Sequence, residues 1–158
     1  MYKRQPLTDS FVDGVTVGQA FHWFREEEAL REIHRVLRPG GGVALIWNTR
    51  DERHPVQAAI SEVIDPLEGA TPSRGRRDWR SLLADSGLFD RCGRALFEHE
   101  QIVDEQTLVE RIISISFIAA APKPVRDDVE KRVRAIARAA DRPIVLPYMT
   151  ELYLGHAL

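Results

Sequence analysis

The sequence predicts an α/β fold, with parallel strands flanked by helices and a carboxyl-terminal pair of antiparallel strands. Residues 12–49 read as a strand, a polar and aromatic turn, a helix, a glycine-rich turn and a second strand, which is one βαβ unit. Residues 43–47 are apolar without alternation, as expected of a strand covered on both faces of a parallel sheet. Residues 89–103 and 149–158 alternate in part, which indicates half-exposed strands.

Each element of the βαβ unit has its own local signal. β-branched residues at 15–17 favour a strand over residues 13–17. Apolar residues then recur at three- and four-residue steps from Glu26, which predicts a helix with one buried face. Three glutamates in its first turn and arginines in its last turn suit the helix dipole. Pro39 and the three glycines after it are predicted to end the helix in a tight turn.

The middle of the chain predicts two helices separated by a loop. Pro55 fits the first turn of a helix whose apolar face continues to Leu67. Residues 70–78 have no periodicity and are predicted to form a surface loop. Asp78 is expected to cap a short helix, and Gly87 fits a left-handed position that ends it.

The last part of the chain predicts helices followed by one strand. Asp104 is predicted to cap a helix whose apolar surface extends as far as Pro122, and residues 124–140 form another amphipathic pattern. Residues 144–146 are apolar, and Pro147 is predicted to interrupt the chain before the final strand. We expect that strand to be antiparallel and near the edge of the sheet.

Composition excludes several classes of protein. The chain has 158 residues and a net charge of −2, with no block of like charge, so neither nucleic acid nor a membrane surface is an expected partner. The arginines at 74, 76, 77 and 80 favour a solvated loop over phosphate or RNA binding. Cys92 is the only cysteine, and there is no signal peptide or run of about 20 apolar residues, which is typical of a cytoplasmic protein.

Candidate site residues follow the two strands of the βαβ unit, because the carboxyl ends of parallel strands meet at one edge of a sheet. His22 is the candidate general base or substrate-orienting group, although a histidine that caps the next helix or packs on Trp23 fits equally well. Trp23 and Trp47 can wall an apolar pocket or serve as core aromatics. Asn48 and Arg50 suit an acceptor carboxylate. The other histidines have no partner at ligand spacing, so no metal site is expected.

The segments DGVTVGQAFHWF, ALREIHRVLRPGGGVALIWNTRDE and LPYMTELYLGHAL together resemble the class I S-adenosylmethionine-dependent methyltransferases, specifically the type 11 branch. The resemblance implies a partial Rossmann-like methyltransferase sheet, with residues 12–49 as its fourth and fifth strands and the helix between them. It also implies S-adenosylmethionine as cofactor and a small-molecule methyl acceptor as partner. Gly18, Gln19 and Ala20 would bind the cofactor, His22 would be catalytic, and the substrate-binding residues would be Phe21, Trp23, Trp47, Asn48 and Arg50.

The sequence departs from this family at its amino terminus. The glycine-rich loop and the acidic residues that hold the cofactor are expected before Asp13, and the sequence contains none of them there. We therefore expect residues 1–158 to be a single, amino-terminally truncated and inactive domain, and residues 1–5 to be non-native because they resemble the translation of a transposon end. The alternative is a non-catalytic binding or scaffold module of the same fold. The methyl acceptor and the oligomeric state stay open.

Overall fold

A computed structural model describes residues 6–69 and 78–158. Its sheet has four strands, β1 (Val12–Gly18), β2 (Leu37–Arg50), β3 (Phe89–Val103) and β4 (Ile144–Ala157), in the order β1-β2-β4-β3. β1 and β2 are parallel, with Val15 beside Val43 and Gly18 beside Ile46. The hydrogen bonds Thr150–Asn48 and His156–Gly40 run in opposite chain directions, so β4 is antiparallel to β2. The predicted α/β fold class is therefore confirmed.

Six α-helices lie in the described parts of the chain. They are α1 (Glu26–Val36), α2 (Pro55–Ile64), α3 (Trp79–Asp85), α4 (Glu105–Ile113), α5 (Ser116–Ala119) and α6 (Lys123–Ala139). Short 3-10 helices cover Phe21–Trp23 and Asp65–Leu67. No helix in these ranges has the length and apolar character needed to cross a bilayer.

The predicted caps and stops are largely confirmed. The Asp78 carboxylate accepts hydrogen bonds from the N–H groups of Arg80 and Ser81, and that of Asp104 accepts one from Thr107 N at 2.7 Å. Gly87 has φ +67°, a left-handed conformation that glycine adopts without strain. Residues 70–77 of the loop predicted at 70–78 and the predicted non-native segment at 1–5 lie outside the described residues.

The structure corrects three predictions about element bounds. Pro39 and the three glycines after it lie within the second strand, because β2 begins directly after α1 at Leu37. The pairing of β1 with β2 is irregular there, since Val12 pairs with Leu37 but Gly14 pairs with Gly42. Pro147 does not interrupt β4; it lacks only a donor, and its carbonyl accepts bonds from Asp51 N and Gln57 Nε2 at 3.1 and 2.9 Å. The helix capped by Asp104 ends at Ile113, and α5 follows as a separate turn.

The predicted position of the last strand is also wrong in part. β4 is antiparallel as expected, but it lies between β2 and β3 and not near the edge. The reason is that β3 returns as the outer strand, with Leu158 N donating to Leu88 O at 3.1 Å. The alternation within β4 gave no information about which strands lie on its two sides.

The described residues form two compact units. The first comprises residues 6–49, 78–97 and 150–158, and its core joins β1 and β2 to α1 and α3. Its largest fully buried side chains include Phe21, Leu30, Leu45 and Leu83. The second comprises residues 50–69 and 98–149, and its core consists mainly of α2, α4 and α6 around Ile60, Leu108 and Val133.

An ion-pair cluster on α1 holds the residues that lead into β1. The Arg35 guanidinium makes a bidentate pair with Glu32 and also donates to Leu7 O at 3.0 Å and to Asp9 Oδ1 at 2.5 Å. These hydrogen bonds raise the already high pKa of Arg35, mainly through Glu32. Ser10 N and Phe11 N donate to the last carbonyls of α1, so the entry to β1 is fixed against the helix end.

Gly41 is the tightest point of the β1–β2 arrangement, and we predict that Gly41→Ala destabilises the fold. A Cβ at this position would lie 2.9 Å from Arg38 O and 3.0 Å from Asp13 O, both backbone atoms that cannot rotate away. The expected loss in the free energy of unfolding is about 1–3 kcal/mol, measured by urea denaturation.

Gly42→Ala is the matched control, because a Cβ on the neighbouring residue meets no atom within 4 Å. We expect it to change stability by less than about 1 kcal/mol. Equal losses in the two variants would show that Gly41 is not a close-packing position.

Candidate functional site

The carboxyl ends of β1 and β2 are fastened together by Gln19. This residue has φ +52°, an uncommon conformation for a residue with a side chain, and its N–H donates to Ile46 O at 2.9 Å. Its Nε2 donates to Asn48 O at 3.1 Å. Gln19 therefore extends the parallel ladder by one residue and holds the two predicted halves of the site side by side. The contact uses the backbone N–H and one side-chain N–H of Gln19, while its predicted cofactor-binding role stays a prediction.

The 3-10 helix after β1 separates its three aromatic residues into different environments. Phe21 is fully buried and packs edge-on against Trp79 at a ring distance of 5.6 Å. His22 is half-buried with its ring 5.0 Å from that of Trp23. Trp23 is 55% exposed. Phe21 thus packs in the core, whereas Trp23 presents an exposed indole surface.

One of the structural interpretations of His22 has a contact that supports it. The ring of His22 lies 5.0 Å from that of Trp23, as expected of a histidine that packs on this residue. The N-cap residue of α1 is Arg25, whose side chain makes no capping hydrogen bond. The role of His22 as a base or orienting group stays a prediction.

Trp47 belongs to an aromatic stack in the core of the first unit. Its ring lies parallel to that of Trp79 at 4.7 Å and edge-on to that of Tyr153 at 6.0 Å. It is only 3% exposed. This burial favours the core interpretation of Trp47 over a role as a pocket wall, because a ligand can reach little of its surface.

A polar network on β2, β3 and β4 adjoins this stack, and the sequence gave no indication of it. Glu151 accepts hydrogen bonds from Tyr153 OH and Arg94, both at 2.7 Å, and from Thr49 Oγ1 at 3.3 Å. Burial alone would raise the pKa of Glu151, but these bonds and the Arg94 charge lower it below its ordinary value. Burial, and then the bond to Glu151, raise the pKa of Tyr153 to about 12.

Thr150 of β4 fixes the orientation of the Asn48 side chain. Thr150 Oγ1 donates to Asn48 Oδ1 at 2.7 Å, which leaves the Asn48 amide N–H groups as the donors directed to other partners. Asn48 is exposed. Thr150 was missed by the sequence because its position beside Asn48 depends on the register between β2 and β4, and strand alternation does not specify that register.

Arg50 lies in the second unit and already has intramolecular partners. Its guanidinium donates to Ser61 Oγ at 3.2 Å and to Asp65 Oδ1 at 3.3 Å, and its side chain is 22% exposed. Ser61 in turn donates to Glu52 at 2.7 Å. A substrate carboxylate would have to compete with Asp65 for this charge, so the structure gives less support to Arg50 than to Asn48.

A groove of about 620 Å³ lies between β1 and α1 in the first unit. It reaches the carboxyl end of β1, where Gly18, Ala20 and Trp23 line it. Gly18 leaves open space above its Cα, because a Cβ there would meet no atom within 4 Å. Of the predicted site residues, these three share the groove, and the other predicted residues are not part of its lining.

The groove fits only part of S-adenosylmethionine. Gly18 and Ala20 can offer backbone groups, but a cofactor with a sulfonium, an amino acid end and ribose hydroxyls needs several charged and polar partners. The charged side chains of the lining are Glu32 and Arg25, which pair with Arg35 and Glu28. In the described residues, the groove therefore lacks a free carboxylate for the ribose or the amino group.

Two comparisons identify relatives of this chain by sequence. The family described as "Methyltransferase domain" matches residues 2–45. An uncharacterised methyltransferase-like protein of Schizosaccharomyces pombe is 34% identical over 87% of this chain, and an uncharacterised methyltransferase of Mycobacterium tuberculosis is 36% identical over 92%. The chain spans about half the length of these relatives, 53% and 58% respectively.

Solved structures show the same fold. A protein described as a type II methyltransferase from Anaeromyxobacter dehalogenans superposes with a TM-score of 0.63 at 19% identity, covering 95% of this chain and 66% of that one. The YcgJ protein of Bacillus subtilis gives a TM-score of 0.52 at 17% identity, covering 97% and 67%. These likenesses confirm the predicted methyltransferase-like sheet.

We predict that Glu151→Gln destabilises the chain in a pH-dependent way. A carboxylate with a lowered pKa stabilises the folded state above its ordinary pKa of 4.5, and this contribution is lost as the pH falls below that value through the folded pKa. The variant should lose about 1 kcal/mol of unfolding free energy at pH 7, and the difference should shrink below pH 4.5.

Glu100→Gln is the control, since Glu100 is an exposed residue of β3. Urea denaturation between pH 3 and pH 7 measures both variants. A loss for Glu151→Gln that is constant over this range would contradict the role assigned to its charge.

Proposed function

We propose that this chain, which belongs to the methyltransferase family, is part of a protein that transfers a methyl group from S-adenosylmethionine to a small-molecule acceptor. The observation that carries the proposal is the match to methyltransferases of two organisms over most of the chain, at 34% and 36% identity. The position of Gly18 and Ala20 at the mouth of the groove supports it, because cofactors of α/β proteins bind at the carboxyl ends of parallel strands.

The proposed roles follow the exposure of each residue. Backbone groups of Gly18 and Ala20 contact the methionine part of the cofactor, and Gln19 holds this loop on β2. Trp23 offers an exposed apolar surface to the acceptor, and the Asn48 amide donates to an acceptor oxygen. His22 orients the acceptor or takes a proton from it, next to Trp23. All of these residues belong to the first unit.

We further propose that residues 1–158 alone form an inactive, cytoplasmic fragment of that protein. The support is the incomplete set of charged partners in the groove and the share of the relatives that the chain spans. Methyl transfer depends on placing donor and acceptor together within a closed site.

Isothermal titration calorimetry with S-adenosylmethionine tests this proposal. The chain alone should show no binding at micromolar concentrations, while the complete Mycobacterium tuberculosis relative, as positive control, should bind. Micromolar binding by the chain alone would contradict the incomplete site. Absence of binding by the complete relative would instead favour a non-catalytic module of methyltransferase-like fold.

A further inference from the structure

Asn48 is held at both of its oxygen atoms, near the carboxyl end of β2. Its backbone carbonyl accepts a hydrogen bond from Gln19 Nε2 at 3.1 Å. Its side-chain Oδ1 accepts one from Thr150 Oγ1 at 2.7 Å. Gln19 follows β1 and Thr150 belongs to β4, so residues on both sides of β2 fix Asn48. Asn48 is also exposed, so a ligand can reach the rest of its side chain.

The length of the contact with Thr150 indicates which end of the Asn48 amide faces this residue. A hydrogen bond from a hydroxyl to an oxygen is typically about 2.7–2.8 Å long, whereas one from an amide N–H to an oxygen is about 2.9–3.0 Å. The observed distance of 2.7 Å therefore fits the Thr150 hydroxyl donating to Oδ1. The two side-chain N–H groups of Asn48 are then not used by Thr150, and they have no other partner among the described residues.

The carboxylate nearest to Thr150 in sequence lies on the other face of the sheet. Successive side chains of a strand point to opposite faces, so Glu151 points away from the face of Thr150 and contacts Thr49. Its carboxylate also accepts a hydrogen bond from Arg94 at 2.7 Å. Glu151 therefore neither competes for the Asn48 N–H groups nor places an uncompensated negative charge beside them.

These contacts make Asn48 a hydrogen-bond donor of fixed direction. Because Thr150 occupies Oδ1, the groups that Asn48 offers to a ligand are its two N–H groups. A carboxylate accepts such a bond through a charged oxygen, which makes the bond about twice as strong as one to a neutral group. A neutral hydroxyl gains only the weaker bond. The arrangement therefore favours a ligand with a carboxylate.

We propose that Thr150 is a positioning residue, which turns the Asn48 amide so that it binds a carboxylate of the methyl acceptor. Thr150 and Asn48 are 102 positions apart but lie on neighbouring strands, so the pairing of β2 with β4 keeps them in register. A donor that is already held in direction loses less conformational freedom on binding. The inference rests on the proposed function only for the place of Asn48 in the site of the methyl acceptor.

Two substitutions separate the hydroxyl of Thr150 from its shape. Thr150→Val removes the hydroxyl and keeps the β-branched side chain, whereas Thr150→Ser keeps the hydroxyl and is the matched control. In the chain without ligand, the side-chain amide resonances of Asn48 should shift in Thr150→Val and keep their positions in Thr150→Ser, because the hydroxyl bonds to the oxygen of that amide. Heteronuclear NMR of the isotope-labelled chain measures this, and circular dichroism checks that each variant retains the fold.

Titration with propionate then tests the class of ligand, with propanol as the neutral probe and sodium chloride of equal ionic strength as the control for salt. We expect propionate to shift the side-chain amide resonances of Asn48, and propanol and sodium chloride to leave them in place. The apparent Kd for propionate should be at least about threefold weaker in Thr150→Val than in the unsubstituted chain, and unchanged in Thr150→Ser.

Three results would overturn the inference. Asn48 resonances that do not respond to Thr150→Val would show that the hydroxyl does not orient the amide. An Asn48 amide that does not respond to propionate, or responds equally to propanol, would exclude selection of a carboxylate. Equal affinity in Thr150→Val would exclude a positioning role. Because the titration contains no cofactor, failure of the complete relative to bind S-adenosylmethionine would count against the proposed function and not against the carboxylate contact.

Discussion

The parallel pairing of β1 with β2 is the contact on which the candidate site depends. It brings Gly18 beside Ile46 and allows Gln19 to donate twice to β2, once from its backbone and once from its side chain. The same pairing requires glycine at position 41, where backbone from two segments approaches closely. Without this register, Trp23 and Asn48 would not be presented on neighbouring strand ends.

The core of the first unit explains why neighbouring aromatic residues differ in their availability. α3 inserts Trp79 against Trp47 and Phe21, which removes both from solvent. Trp23 has no such cover and remains at the groove. The Glu151 network adds charge-assisted hydrogen bonds to Tyr153, whose ring packs edge-on against Trp47.

Sequence patterns predicted the elements well where the signal was local. The strand at residues 13–17, the caps at Asp78 and Asp104 and the stop at Gly87 each depend on a few neighbouring residues. Contacts distant in sequence were not predictable in this way. Thr150 meets Asn48 across 102 positions, and the burial of Trp47 depends on Trp79 in another helix. Apolar character likewise could not distinguish the buried Trp47 from the exposed Trp23.

The open edge and the incomplete groove both involve β1, since no described strand covers its outer side and its residues line the groove together with those of α1. Unpaired backbone groups and apolar surface are costly to leave in water, so covering them would stabilise the fold. The proposed function and the stability of the fold therefore both depend on β1.

Amide hydrogen exchange along β1 in the isolated chain tests most directly whether only the side of β1 that faces β2 is hydrogen-bonded. The amides of Val17 and Gln19, which face β2, should exchange at least about tenfold more slowly than those of Thr16 and Gly18, which face outward. Equal protection of Thr16 and Val17 in the isolated chain would contradict it, because the outer side of β1 would then already be paired.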